Sequence, residues 1–518
     1  MWFGAVGDGV TDDTTSIQSA TNAAIAIVNS SYSSIWDYSG ISVLFPHGVY
    51  YITSSILVAG ANGVSFVGDG SRGAQLETDL DTIEMFVVGD PVTPANIFDI
   101  HFRYLTMVCK SNTSTTIGIR YINAINCDLD NCTINNFAQN VYCERVNTLS
   151  IKGCNFDIIN GVSWRSTVKA ISNLTLKGST LGTGGNITIS NTDFGGSASA
   201  DLLINNILIE ECDGLYMSEC HFSQSNYLMH CAPTGEEGKE RITDIYASNC
   251  YFDADGQPEI NVWLEGSVTT GGLYQNINFS NCIFRGGISA EYGVKIEVTD
   301  LGSFYSSGAR LENINFDGCT FKQASKQGLL ALGDASGKLE VVGLKVTDST
   351  FTENNSSGNI VSDLLIECDS ATINDNNVPI EFSSIIGAVY QVSNNIHKGV
   401  GNQLDDIYKL TTTDAASTSI FSRLIPQRTS GSIRVTVNGS SPDAVEYASY
   451  VFEGSFNRTT GSLAWAAGDP VVTRSHKTSG VLTAPTLVAA TNSINVTVAG
   501  IAATSFTWTA KIELLQSK

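Results

Sequence analysis

A short motif recurs down the middle of this chain: usually Asn or Gly, then Cys, one variable residue and an apolar residue that is most often Phe. Six copies carry the cysteine, at Cys132, Cys154, Cys220, Cys250, Cys282 and Cys319. The copies follow stretches such as Tyr274–Ser280, in which apolar and polar residues alternate as along a half-buried strand. Their irregular spacing is that of a repeat protein with insertions. The motif therefore predicts an all-β fold, a parallel β-helix, in which every coil contributes short strands and turns.

Stacked coils would place equivalent residues about 4.8 Å apart, so the cysteines and phenylalanines should form buried ladders. Six of the 12 cysteines fall in one column, which fits reduced thiols in a protein folded in a reducing cytosol. A zinc site is the competing interpretation of repeated cysteines. The sequence has no CxxC pair and no histidine that recurs beside them. The sequence thus predicts neither a metal nor a cofactor.

The composition narrows the possible partners. The chain has 518 residues, with 28 Lys and Arg against 51 Asp and Glu, and the net charge of −23 has the wrong sign for gripping nucleic acid. Its 48 glycines and 15% of charged residues suit a turn-rich all-β protein. The sequence shows no apolar run of membrane-spanning length and no secretion signal at its start. We therefore expect neither nucleic acid nor a membrane as a partner.

The first 70 residues carry the most specific pattern. A turn-rich run, FGAVGDGVTDDT at Phe3–Thr14, precedes a helix-like stretch from Ser16 to about Val28 that Asp12 or Asp13 could cap. Strand-like runs follow at Val43–Ile52 and Val64–Gly70. This combination closely resembles the start of the pectate-lyase-like right-handed parallel β-helix superfamily, and especially the bacteriophage tailspike depolymerases.

The resemblance implies a function and an assembly. A protein of this kind would be a homotrimer on the virion tail that binds and depolymerises a bacterial surface polysaccharide, either capsule or O-antigen. Tailspikes usually carry a particle-binding domain before the opening run, so attachment to the phage tail or baseplate would use an N-terminal region that is missing here. Such a protein is made in the host cytoplasm and acts outside the cell, on the bacterial surface.

Three segments are expected along the chain. Residues 1–40 would form an N-terminal segment with a helix that caps the β-helix, which otherwise exposes strand edges. Residues 41–402 would form the β-helix that binds and cleaves substrate. Past Asn402 the motif stops, and alternating stretches such as Ser432–Val437 and Ile494–Val498 predict an antiparallel, β-sandwich-like domain over residues 403–518. The resemblance gives this last domain a role in trimerisation or carbohydrate contact.

The catalytic hypothesis comes from aligning two successive coils through Cys250 and Cys282. The aligned pairs are Glu259 with Glu291, Val262 with Val294, Trp263 with Lys295, Leu264 with Ile296, and Glu265 with Glu297. If the aliphatic residues point inward, Glu265 and Glu297 point outward as neighbours about 5 Å apart at the backbone. That spacing approximates the carboxyl separation of a retaining glycosidase. Asp334, at the same offset in the next coil, would give the wider spacing that suits inversion.

Two adjacent carboxylates are expected to separate into an acid and a base, because like charges held close raise one pKa. Hydrolysis by Glu265 and Glu297 is therefore the leading hypothesis, with Glu259 and Glu291 as a second catalytic pair. Trp263 would supply a flat apolar surface for a sugar ring. The residues expected to bind substrate are Trp263, Lys295, Tyr227, His230 and Arg285. In a chain with 51 acidic residues, the same pairs also arise as an ordinary solvated surface or as a cation site.

Two other functions remain open on this fold. A polysaccharide lyase would cut a uronate-containing glycan by β-elimination, with Tyr227 or His230 as the base and Lys295 or Arg285 neutralising the uronate carboxylate. A receptor-binding module without catalysis is the third possibility, and a groove without paired carboxylates would favour it.

Overall fold

The chain divides into two compact units, Met1–Val341 with Ser349–Leu364, and Val342–Asp348 with Leu365–Lys518. Within the described residues there are 49 strands and one α-helix, which confirms the predicted right-handed parallel β-helix with antiparallel sheets in the C-terminal region. The computed structural model describes residues 3–31, 40–60, 62–70, 73–92, 95–111, 115–158, 170–178, 185–196, 203–232, 241–253, 260–267, 273–286, 290–300, 310–325, 327–332, 340–352, 364–367, 370–374, 377–379, 385–386, 389–393, 396–398, 407–412, 417–424, 429–441, 447–458, 464–465, 470–477, 485–489, 493–499 and 506–517.

The first unit contains three parallel sheets, numbered here in the order in which a coil visits them. Sheet 1 comprises Ile41–Phe45, Asn62–Gly68, Ile97–Arg103, Ala124–Asp130, Asn147–Lys152, Gly185–Ser190, Cys212–Ser218, Arg241–Ser248, Leu273–Ser280 and Arg310–Asp317. Sheet 2 comprises Asp8–Asp12, Gly48–Tyr51, Ala74–Thr78, Leu105–Cys109, Thr133–Asn135, Asn155–Asp157, Asp193–Phe194, His221–Ser223, Tyr251–Asp253, Ile283–Arg285, Thr320–Lys322 and Thr350–Thr352. Sheet 3 comprises Ile56–Val58, Glu84–Val88, Ile117–Ile122, Gln139–Glu144, Ala170–Lys177, Leu203–Ile209, Tyr227–Cys231, Ile260–Ser267, Tyr292–Asp300 and Gln327–Leu332. Glu340–Val342 is a further short strand.

The recurrent motif forms the corner between sheet 1 and sheet 2. In most coils two residues separate these strands, as Asn281 and Cys282 separate Leu273–Ser280 from Ile283–Arg285. The first corner residue has a positive φ, which Asn and Gly adopt at the least cost. These residues are Asn131, Gly153, Asn191, Glu219, Asn249, Asn281, Gly318 and Asp348. The second corner residue points inward, and this alternation of conformations explains why Asn or Gly precedes Cys.

The predicted cysteine ladder is confirmed, since every cysteine among the described residues is free and buried. The Sγ atom of Cys282 lies 3.4 Å from the carbonyl oxygen of Ala247 in the preceding coil and 3.5 Å from that of Ser280. Each thiol in the ladder is therefore a small apolar group with a weak donor that can satisfy a corner carbonyl. Burial raises the pKa of the Cys154 thiol well above its usual range.

Phenylalanines form a second ladder beside the cysteines, on the inner face of sheet 2. Successive rings are nearly parallel, with centroids 4.7 Å apart for Phe222 and Phe252 and 5.1 Å apart for Phe252 and Phe284. Phe279 from sheet 1 meets Phe284 edge-on at 5.5 Å. All four side chains are fully buried. Each buried phenylalanine is worth about 1.5–3 kcal/mol of transfer free energy, so the repeat provides much of the stability of the coils.

The predicted N-terminal helix is present as α1, Thr14–Ser31, and it contacts the first strands of sheets 1 and 3. Its buried face includes Ile17, Ala24 and Val28. The carboxylate of Asp12 accepts a hydrogen bond from the backbone N–H of Thr14 at 3.0 Å. The carboxylate of Asp13 instead accepts from the N–H groups of Val6 and Gly7, at 2.6 and 3.0 Å. One of the two expected capping residues thus contacts the helix, and the other holds the preceding turn.

The second unit combines short parallel strands with two antiparallel sheets. The parallel strands are Leu344–Thr347, Leu364–Glu367, Ser370–Asn374, Asn377–Pro379, Ile385–Ile386, Val389–Ser393 and Ile396–Lys398. The larger antiparallel sheet comprises Ile407–Thr412, Thr429–Ser440, Tyr447–Arg458, Ala464–Trp465, Val471–Lys477 and Phe506–Ser517, and the smaller comprises Ser417–Leu424, Thr486–Ala489 and Ser493–Ala499. Residues of both sheets, among them Val435, Val496 and Trp508, share one buried core, as in a sandwich.

The predicted segment limits, 1–40, 41–402 and 403–518, stay predictions, because residue 402 lies outside the described residues. No helix in the ranges described above combines the length and apolarity needed to cross a membrane.

Candidate functional site

Sheet 3 is bordered by connections of variable length. Residues 158–169 join Asn155–Asp157 to Ala170–Lys177, whereas only residues 224–226 join His221–Ser223 to Tyr227–Cys231. On the opposite edge, residues 232–240 lead from Tyr227–Cys231 back to sheet 1. The corner between sheets 1 and 2 stays short in most coils. The number of residues between strands therefore varies most on either side of the sheet 3 strands.

The predicted register between the two aligned coils is confirmed wherever the structure describes both partners. Val262 pairs with Val294, Trp263 with Lys295, Leu264 with Ile296, and Glu265 with Glu297. Val262 and Leu264 are fully buried, whereas Trp263 and Glu265 are half-buried on the outer face. The alternation of inward and outward side chains is the one expected for a strand. The two glutamates are thus direct neighbours on adjacent strands of sheet 3.

His230 lies one coil before Trp263 and is in register with it. The imidazole and indole rings are parallel within 1°, with centroids 4.5 Å apart. The ring of Tyr227 packs beside both, 5.0 Å from each. The structure therefore brings together three of the residues predicted to bind substrate, in one aromatic group next to Glu265.

Lys295 covers the other side of Trp263. Its Nζ lies 5.5 Å from the centroid of the indole and 5.2 Å from that of the Tyr292 ring, and it forms an ion pair with Glu297. His230 and Lys295 belong to the coils before and after Trp263, so they take opposite faces of the indole. The expected sugar platform is occupied by these neighbours. A sugar ring would stack on Trp263 only after Lys295 moved aside.

The hydrogen-bond partners of His230 determine how many protons the imidazole and its neighbours must hold between them. Asn205 Oδ1 lies 3.2 Å from Nδ1 of the ring, and Glu265 Oε2 lies 2.7 Å from Nε2. The amide of Asn205 donates from Nδ2 to the carbonyl oxygen of Ile171 at 3.0 Å, so its oxygen faces the imidazole. Nδ1 must then carry a hydrogen that it donates to Asn205. The contact between Nε2 and Glu265 needs one more proton, held by the ring or by the carboxyl.

The two outward carboxylates thus have different partners. Glu265 shares a proton with His230, and the side chains of both are largely covered, with 15% and 12% exposed. Glu297 is paired with the ammonium of Lys295, and these side chains are 17% and 18% exposed. The repulsion that we expected to separate the two glutamates is offset by these partners. The two carboxylates therefore differ in that one contacts an imidazole and the other an ammonium group.

A buried tyrosine supports the strand that carries Glu265. Tyr274, on the inner face of sheet 1, donates from its hydroxyl to the backbone carbonyl of Glu265 at 2.8 Å. Sequence reasoning missed this residue and also missed Asn205. An outward Asn one coil before His230 gives no signal by itself, since it becomes informative only when its register with Tyr227 is known.

Two of the predicted site residues lie elsewhere or on the margin. Arg285 belongs to sheet 2, where its guanidinium contacts Asp253 at 3.2 Å and donates from Nε to Gln323 Oε1 at 2.9 Å. It is thus on a different sheet from the aromatic group. Glu291 directly precedes the strand Tyr292–Asp300. Its predicted partner Glu259 lies outside the described residues, as does Asp334.

The outer face of sheet 3 continues toward the N-terminus as a row of charged residues. Arg120 bridges Glu84 at 2.7 Å and Glu144 at 3.2 Å, and its guanidinium lies 5.5 Å from the ring centroid of Tyr142. Within the described residues, no group of three or more His, Cys, Asp or Glu side chains is arranged to hold a metal ion.

Comparison with known proteins finds one matching family over part of the chain and several solved structures with a similar fold. Residues 1–217 match the family described as rhamnogalacturonase A/epimerase, pectate lyase-like. The family 28 exopolygalacturonase of Yersinia enterocolitica superposes with a TM-score of 0.55 at 13% identity, covering 78% of each chain. The tailspike protein of E. coli bacteriophage HK620, solved with a pentasaccharide, superposes with a TM-score of 0.52 at 11% identity, covering 99% of this chain and 91% of that one. No curated protein matches the sequence at a significant level.

These similarities confirm the predicted resemblance at the level of the fold. The chain has a right-handed parallel β-helix fold, the match to a pectate-lyase-like family covers residues 1–217, and a phage tailspike is among the solved structures that share the fold. Polysaccharide-degrading enzymes also appear among the structures with this architecture.

Proposed function

We propose that this protein is a bacteriophage tailspike that binds a bacterial surface polysaccharide, capsule or O-antigen, and hydrolyses its glycosidic bonds. The observation that carries the proposal is the pair of adjacent outward carboxylates, Glu265 and Glu297, each with a different partner on the same face of sheet 3. The fold shared with a polygalacturonase and a tailspike supports a depolymerase. Such a pair on one face argues against a purely adhesive module.

The proton shared by His230 and Glu265 suits the role of the general acid. It would be donated to the glycosidic oxygen as the bond to the anomeric carbon breaks, so that the leaving sugar departs as an alcohol. Asn205 would keep Nδ1 of the imidazole protonated during this step. In the retaining course, a proton from the water that cleaves the glycosyl-enzyme bond replaces it in the second half of the reaction.

Glu297 suits the role of nucleophile or base, because Lys295 stabilises its charged form. As a nucleophile it would form a bond to the anomeric carbon that water later cleaves, and as a base it would take a proton from the attacking water. Lys295 also keeps its position over Trp263. Trp263 therefore contributes by fixing both His230 and Lys295, and we expect Trp263→Ala to reduce turnover as well as binding.

A lyase is the second candidate, and one observation favours it. A histidine that shares a proton with a glutamate, next to a lysine, is also an arrangement that can remove the C5 proton of a uronate while the ammonium neutralises its carboxylate. Breakage of the bond between C4 and the glycosidic oxygen would then leave an unsaturated sugar, and the other sugar would depart as an alcohol after its oxygen takes a proton from the His230–Glu265 pair. The two reactions therefore differ in their products rather than in their residues.

The experiment incubates the protein with a panel of capsular and O-antigen polysaccharides and analyses the fragments by mass spectrometry. Hydrolysis adds the mass of water to each cut, whereas elimination gives an unsaturated end that absorbs in the near ultraviolet. Glu265→Gln and Glu297→Gln should each lower turnover at least about a hundredfold without loss of folding. Glu144→Gln, a carboxylate on the same face paired with Arg120, is the matched control and should retain activity. Full activity in both site variants would exclude the assignment.

We also propose that the protein acts as a homotrimer on the virion tail, attached to the tail or baseplate. Light scattering should give about three times the chain mass of 55.2 kDa. A stable monomer would contradict the trimer while leaving the chemistry on sheet 3 unaffected.

A further inference from the structure

A second concave site lies on the outer face of sheet 1, one sheet away from the proposed catalytic residues. It is a cavity of about 300 Å³. Its lining includes His101, Asp128, Ser150, Thr188 and Tyr216. These five residues occupy successive positions of a single outward column, in register from coil to coil. The cavity is therefore a feature of the sheet itself rather than of the connections.

The cavity arises from a gap in side-chain size. Ser150 and Thr188 are small and exposed, and they lie between Asp128 on one side and Tyr216 on the other. The adjacent column, Asn126, Thr148 and Asn186, has positive φ in every coil, so that the strands bend beside the cavity. A bend on one flank and small residues on the floor together make a trough across the coils.

Two tyrosines extend the trough toward the C-terminus. Tyr216 and Tyr246 are in register, their rings are parallel within 3° and 5.4 Å apart, and they are 41% and 40% exposed. Exposed, parallel tyrosines on a rigid sheet present an apolar edge that ends in hydroxyl groups. The column from His101 to Tyr246 covers five steps of about 4.8 Å, or about 24 Å, which is the length of an oligosaccharide rather than of a single sugar ring.

The polar groups of the trough are suited to hydroxyl ligands. Asp128 Oδ2 is held by His101 at 2.8 Å and by Arg103 at 3.0 Å, whereas Oδ1 has no hydrogen-bond donor among the described residues. Burial alone would raise the pKa of Asp128, but its contacts with His101 and Arg103 lower it, so the carboxylate is ionised. Arg103 is engaged by that carboxylate, and the charges at this end are compensated. Oδ1 itself is buried, and the residues that line the cavity include no lysine or arginine. The trough thus offers an ionised carboxylate, hydroxyls and aromatic edges, which fits an uncharged glycan better than an acidic one.

We infer that sheet 1 carries a non-catalytic binding site for a neutral oligosaccharide segment, centred on Asp128, Thr188, Tyr216 and Tyr246. The site holds polymer on a different face from Glu265 and Glu297, so it anchors the glycan without taking part in bond cleavage. It is independent of the choice between hydrolysis and elimination on sheet 3.

The test uses the Glu265→Gln/Glu297→Gln variant, so that the probe is not consumed. The probes are uncharged four- to six-sugar fragments of purified capsular and O-antigen polysaccharides, titrated by saturation-transfer NMR. Adding Tyr216→Ala and Tyr246→Ala should weaken binding of the recognised fragment about tenfold or more, with an unchanged melting temperature. Tyr447→Ala removes a tyrosine of similar exposure, 43%, from the second unit and should leave binding unchanged.

Three results would overturn the inference. The first is unchanged affinity in the variant without Tyr216 and Tyr246, and the second is failure of every neutral fragment to bind the full chain. The third is dissociation of the native oligomer by the tyrosine changes, which would identify this face as an interface between subunits. If tyrosine-dependent binding is seen but no polysaccharide is cleaved by the unmodified protein, the proposed function fails and the sheet 1 site stands.

Discussion

The two faces of the strand Ile260–Ser267 differ in the kind of side chain that each meets in the adjacent coils. Its inward residues Val262 and Leu264 meet Val294 and Ile296 in the next coil, so aliphatic side chains pack on aliphatic side chains. Its outward residue Trp263 is flanked by a histidine and a lysine, which are unlike it and unlike each other. Each coil must fill the same interior volume, and repetition is the simplest solution. The exterior has no such constraint, and complementary neighbours there can form a site.

The largest effect that would sharpen this contrast is expected from Cys282→Asp. The change buries a carboxylate in the interior ladder without a partner, and we expect a loss of more than about 4 kcal/mol in the free energy of unfolding or a failure to fold. Urea denaturation followed by circular dichroism measures the loss.

The matched control for that change is Ser280→Asp. Ser280 is half-buried on the outer face two residues before the cysteine, and the next coil already has Asp317 in register with it. We expect an effect within about 1 kcal/mol, because outward charges remain solvated. Equal losses in the two variants would contradict the distinction between the faces.

An intermediate effect on the free energy of unfolding is expected at Asp157, which is half-buried at the end of a sheet 2 strand. Burial raises the pKa of this carboxyl to about 6, and the residue in register in the preceding coil is Asn135. The folded state therefore favours the protonated form, and the stability that this provides is lost as the pH rises from about 4 to 6. Asp157→Asn removes the loss, so the variant should exceed the unmodified protein by about 1–3 kcal/mol at pH 7 and match it near pH 4.

The comparison of urea midpoints at the two pH values checks this sign. A difference between variant and unmodified protein that is the same at pH 4 and pH 7 would show that the carboxyl titrates normally.

The smallest effect concerns the thiols. The cysteines of the described residues are buried, and burial raises the pKa of Cys127 and of Cys212 to about 12. We expect almost no labelling by a thiol reagent in the native protein and labelling of all 12 cysteines in denaturant. Rapid native labelling, or intact masses showing disulfides, would mean that the ladder is open or oxidised.

The sequence was informative where the structure repeats. The copies at Cys250 and Cys282 were enough to predict the register of Glu265 with Glu297. Each glutamate follows its corner cysteine by the same number of residues, so the two coils align without a gap. The helix α1 and the antiparallel sheets of the second unit also followed from local patterns. These features depend on alternation and on turn residues, which act over a few positions.

The rest of the site depends on insertions that the repeat does not encode. His230 is in register with Trp263, yet residues 224–226 precede one strand and residues 254–259 precede the other, so an ungapped alignment misplaces the histidine. The partner Asn205 lies one coil further away again. Arg285 was predicted to join the site because the sequence does not reveal which of three sheets a short strand enters.

The two-residue corner between sheets 1 and 2 has a consequence for how such proteins diversify. Since this corner fixes the path of the chain, segments on either edge of sheet 3 can be lengthened, shortened or exchanged without altering the coil that supports them. Under the proposed function, replacing one edge segment with that of another protein of the same architecture should therefore be enough to transfer recognition of a different glycan. The coil and the edge segments can therefore change independently of each other.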